Sequence, residues 1–120
     1  MYKILYILFP ILLLSCKSDA ELAMERGITL YDWNKLDQAI IEFNKVKYLL
    51  NYTQDESLES IELLAQAHFN LGITYAKMEL YYQAEQELLN AISLIPSKEY
   101  RDVLNMVRSK IQPAPSNQNP

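Results

Sequence analysis

From Leu36 onward, apolar residues recur every three or four positions, the spacing of helices that bury one face. Leu36, Ala39, Ile40, Phe43, Val46 and Leu50 form one stripe, and Ile61, Leu64, Ala65, His68, Leu71, Gly72 and Tyr75 a second. A third runs through Tyr81, Ala84, Leu88, Ala91, Ile92 and Ile95, and a fourth through Tyr100, Val103, Leu104, Val107 and Ile111. Ala20 to Tyr31 predicts one further helix with a looser pattern. Turns are expected at Asp32 to Asn34 and Glu79 to Leu80. Asn51 to Glu56 has no strong period and reads as a loop, with Asp55 or Ser57 capping the helix after it. Pro96 ends the fourth helix and Ser97 can cap the fifth. The expected fold class is all-α.

The first apolar run, Ile4 to Leu14, follows a single Lys3 and ends in Ser15-Cys16, as a secretory signal does. Eleven helical residues span roughly 16 Å, half a bilayer core, so the run is too short for a transmembrane helix. Leu13-Leu14-Ser15-Cys16 resembles the bacterial lipobox, in which the cysteine becomes the acylated first residue of the mature protein. The expected organisation is a lipoprotein signal peptide over 1–15, lipidated Cys16 with a tether over 16–19, a helical domain over 20–111, and a disordered tail over 112–120.

Composition narrows the choices. The chain has two glycines and five prolines, three of them in its last eight residues, so an all-β fold lacks its turns. Half the residues are apolar and 22% charged, which excludes a disordered chain. A net charge of −4 argues against nucleic acid, which wants a basic stripe. One cysteine excludes an internal disulfide.

Leu71, Gly72, Tyr75, Ala84, Leu88, Ala91 and Pro96 match the tetratricopeptide pattern, with Leu88 in place of its aromatic and His68 in place of its Trp. A weaker copy runs through Gly27, Leu30, Ala39, Phe43 and Val46. Gly27 and Gly72, the only glycines, lie 45 residues apart, as do Ala39 and Ala84. Small residues are needed there because two antiparallel helices cross closely. The usual repeat is about 34 residues, so about eleven are inserted, which are expected to lengthen the first helix of the second unit from near Ser57. Two repeats and a C-terminal capping helix are expected.

Enzyme chemistry finds no footing. The single histidine, His68, lies on an inner stripe, Cys16 has no histidine near it, and Glu85 and Glu87 are expected on solvated faces. No His/Cys cluster offers a metal site, and no cofactor is implied. The expected site is a groove lined by the first helix of each pair. Counting from the glycines places Met24, Ile28, Tyr31, Phe69 and Ile73 on it, with Asp32, Asn70 and Lys77 beside them; the last helix could also cover these residues. An apolar set off the core side suits a protein partner.

Cys16, Ala23, Gly27, Asp32-Trp33, Gln38-Ala39-Ile40 and the second repeat through Pro96 together resemble the BamD family of bacterial outer-membrane lipoproteins. The likeness spans residues 16–111, with two repeats where the family usually carries about five, so a truncated relative keeping the amino-terminal half is implied. The resemblance implies a non-enzymatic, lipid-anchored adaptor at the periplasmic face of the outer membrane. It would act in the β-barrel protein assembly (BAM) machinery, with a BamA-like assembly protein and unfolded outer-membrane protein segments as partners. The alternative is a lipoprotein scaffold for another envelope complex, pilotin-like or an activator of a cell-wall synthase.

Overall fold

The computed structural model describes residues 17–112. The expected signal peptide over 1–15, Cys16, and all but the first residue of the tail expected over 112–120 lie outside the described residues. Five helices make up the described fold, and no strand occurs among those residues: α1 (Asp19–Asp32), α2 (Leu36–Thr53), α3 (Leu58–Lys77), α4 (Tyr81–Leu94) and α5 (Lys98–Ile111). The domain is all-α.

Local chemistry sets the boundaries. Ser18 and Glu21 form a capping box: Glu21 N–H donates to Ser18 Oγ, and Ser18 N–H to the Glu21 carboxylate, each at 3.2 Å. Helix α1 therefore starts inside the stretch expected to be tether. Ser57 caps α3 by accepting from Ser60 N–H at 3.2 Å. Asp55 holds that cap in turn, accepting from Ser57 N–H at 2.9 Å and Ser60 Oγ at 2.7 Å. Helix α4 stops where Ile95 turns extended ahead of Pro96.

The loop after α2 is shorter than the sequence pattern implies. Asn51, Tyr52 and Thr53 are helical, and Gln54, left-handed at φ 50°, ends the helix. All three are exposed and add nothing to the apolar stripe, so periodicity alone misses them. The extra length between the two glycines also falls on both helices rather than on α3 alone. Helix α2 has 18 residues and α3 has 20, whereas α1 and α4 have 14 each.

Each helix packs chiefly on its chain neighbours, while α1 also touches α3 and α3 touches α5. One core cluster joins Ala20, Ala23 and Met24 of α1 to Ala39, Phe43 and Val46 of α2 and to Ala67 and Leu71 of α3. A second joins Ala84 and Leu88 of α4 to Leu104 and Val107 of α5. Tyr75 packs against both.

The recurrence at 45 residues is physical. A Cβ on Gly27 would lie 2.5 Å from the Phe43 ring, and one on Gly72 would lie 2.7 Å from Leu88 Cγ. Phe43 and Leu88 are themselves 45 residues apart, and Ala39 and Ala84 are both fully buried. The two turns match as well. Asn34 (φ 60°) and Glu79 (φ 62°) are left-handed, and Lys35 and Leu80 share φ −90° and ψ 68°. In each turn the left-handed residue's N–H and the next one's N–H bond back to two carbonyls of the preceding helix: Tyr31 and Leu30 in one, Ala76 and Tyr75 in the other. This is the Schellman closure, made without glycine.

Candidate functional site

Helices α1 and α3 lie side by side in register, and two contacts fix that register. Asn70 Nδ2 donates to Met24 Sδ at 3.2 Å, and the Lys77 ammonium sits 4.6 Å from the centre of the Tyr31 ring. Ile28 and Ile73 fall between these two contacts along the pair. Ile28 is 38% exposed, and Tyr31 and Ile73 are half-buried, the Tyr31 ring also packing against the first core cluster. By helical spacing, Ile28, Tyr31 and Ile73 form a candidate strip along this seam, with one cation, Lys77, at its end.

The other two residues expected on this face are covered. Met24 is only 4% exposed because α3 closes over it, and it belongs to the core. Phe69 stacks on Tyr100 of α5, with ring centres 4.6 Å apart and planes at 23°. It packs against the second core cluster. Asn70, counted beside the groove, is buried with its amide spent on Met24. Cys16, the expected lipidation site, lies outside the described residues.

The strongest electrostatic feature lies elsewhere. The Glu87 carboxylate on α4 meets His68 Nδ1 of α3 at 2.6 Å and Lys47 Nζ of α2 at 3.3 Å, joining three helices. Burial pushes the Glu87 carboxyl up, but the His68 hydrogen bond and the Lys47 and His68 charges hold it below the usual carboxylate range. Its side chain is 16% exposed, so it is not on a solvated face; nor is Glu85, which accepts from Arg108 Nε at 3.0 Å. Both are drawn inward because cations on neighbouring helices reach them. A sequence signal for this existed. Glu42, also 16% exposed and held by Arg26 at 3.2 Å, stands 45 residues before Glu87. Both units therefore place a paired, half-buried glutamate at the same position of their second helix.

His68 and Glu87 contact each other, and Lys47 joins them from α2. Among the described residues, no group of three or more His, Cys, Asp or Glu side chains could hold a metal ion. No helix of the described residues is long and apolar enough to cross a membrane. No protein-family model matches the chain, and no curated protein does.

Proposed function

We propose that this chain is a non-enzymatic adaptor of the tetratricopeptide type, anchored by lipid at Cys16 and acting in outer-membrane β-barrel protein assembly. The single observation that supports the adaptor reading best is the 45-residue recurrence. Glycine contact, fully buried alanine, turn dihedrals and paired glutamate all repeat between α1–α2 and α3–α4. Stacking such units sets their first helices side by side, which is how helical repeats build extended binding faces. The lipobox supports the anchor, since two or three acyl chains hold a protein on a bilayer stably. The assembly role rests on the order of lipobox and repeats along the chain.

The strip of Ile28, Tyr31 and Ile73 with Lys77 suits an apolar segment that ends in a carboxylate. Aromatic-terminated carboxy-terminal strands of barrel proteins are such segments. The Phe69–Tyr100 stack favours a second reading, a scaffold for another envelope complex working through its convex face, because α5 shortens the open strip. Purification of the tagged full chain under mild detergent separates the two. Recovery of a BamA-type protein with barrel chains, lost in Ile28→Glu and Ile73→Glu, is the expected outcome. A secretin or cell-wall synthase recovered instead, unaffected by those variants, would establish the scaffold.

A further inference from the structure

The exposed aromatic residues of α2 gather at one end of the molecule. Antiparallel packing brings the first turn of α1, the last turns of α2 and the first turn of α3 together. Ser18, Ala20, Leu50, Thr53, Ser57 and Leu63 line a common cleft there of about 400 Å³. Outside the cleft, near the end of α2 and at the start of α3, Tyr48 is 67% exposed, Tyr52 79% and Leu58 65%. The two tyrosines stack with ring centres 6.2 Å apart, presenting one continuous apolar surface with two phenol groups.

Only Lys17 and Ser18 separate Cys16 from α1, a reach of at most about 10 Å. An acylated Cys16 therefore holds this end, and not the opposite one, against a bilayer. We propose that Tyr48, Tyr52 and Leu58 form a membrane-seating face in the headgroup interface of a zwitterionic bilayer, an inference that rests on the lipid-anchor reading above. Tyrosine suits that layer, since its ring enters the acyl boundary while its hydroxyl stays hydrated. Exposed Asp19, Glu21, Asp55, Glu56 and Glu59 outnumber Lys17 at this end. That charge disfavours an anionic surface, and it equally disfavours a second copy meeting the same face. Seating this end fixes α1 and α3 relative to the membrane, with the Tyr31–Lys77 contact at their far ends, about 18 Å along α1 and about 28 Å along α3.

The sequence supplies its own reference probe. Trp33, the only tryptophan, is 66% exposed at the far end of α1. The full-length protein is purified from cells, its Cys16 acylation read by intact mass, and reconstituted into phosphatidylethanolamine–phosphatidylcholine vesicles containing chain-brominated lipid. In a Trp33→Phe background, Tyr52→Trp should lose emission to the bromines and shift to the blue, while wild-type Trp33 should be unaffected. Acylated protein whose position-52 tryptophan stays unquenched would overturn the seating face and leave the anchor intact. A blue shift that needs no vesicles and grows with protein concentration would also overturn it, showing copies meeting there. Unacylated Cys16 would overturn the anchor and the seating face together.

Discussion

Glu87 ties the electrostatics of single residues to the stability of the whole domain. Its carboxyl is held below its ordinary range, so the folded-state pKa lies under the unfolded one. The stabilisation is therefore complete above the ordinary carboxylate value and is lost as pH falls through the lowered one. Asp55 acts in the same direction, through hydrogen bonds from Ser60 and Ser57. Denaturant unfolding of the wild type between about pH 7 and pH 3 should show stability falling with acid. Glu87→Gln should flatten that fall without abolishing it, since Asp55 remains. Identical slopes would mean that the contacts to His68 and Lys47 contribute nothing. Residue identities alone marked His68 as an interior group, and only the 45-residue recurrence of Glu42 at Glu87 pointed to its partner. A carboxylate on an amphipathic helix reads as solvated until a neighbouring helix supplies a cation.

At the scale of helices, Gly27 and Gly72 act through what they lack. Alanine in place of glycine inside a helix ordinarily gains about 1 kcal/mol. Here a methyl at Gly27 would meet a Phe43 ring that is 1% exposed, and one at Gly72 would meet the fully buried Leu88. Overpacking at such sites costs about 1–3 kcal/mol, which outweighs the propensity gain. Gly27→Ala and Gly72→Ala should therefore both lower the melting temperature, with the Gly27 variant lower because a ring yields less readily than a leucine. A rise in both would mean that the helices do not cross there. These crossings were legible in the sequence because the glycines, alanines and apolar stripes recur together. The end of α2 was not, because a helix can continue through exposed residues when Leu49 and Leu50 anchor the turn before it.

At the scale of the molecule, the sequence pattern expects Ile28, Tyr31 and Ile73 on one face, and α1 packs against α3 with Tyr31 beside Lys77. It could not place Met24 and Phe69, whose exposure depends on how far α3 and α5 close over them. The functional account turns on whether the remaining strip binds. Burying it returns about 25 cal/mol per Å², partly offset by ordering the ligand. The most direct measurement is a calorimetric titration of the full-length protein in mild detergent with an aromatic-terminated, barrel-derived carboxy-terminal peptide. The account predicts a Kd on the order of micromolar. Ile28→Ala and Ile73→Ala should weaken binding at unchanged melting temperature, whereas Phe69→Ala, which strips the stack on Tyr100, and Tyr31→Ala, whose ring packs against the first core cluster, should lower the melting temperature as well. No heat of binding from the wild type would contradict the groove, whatever the variants do.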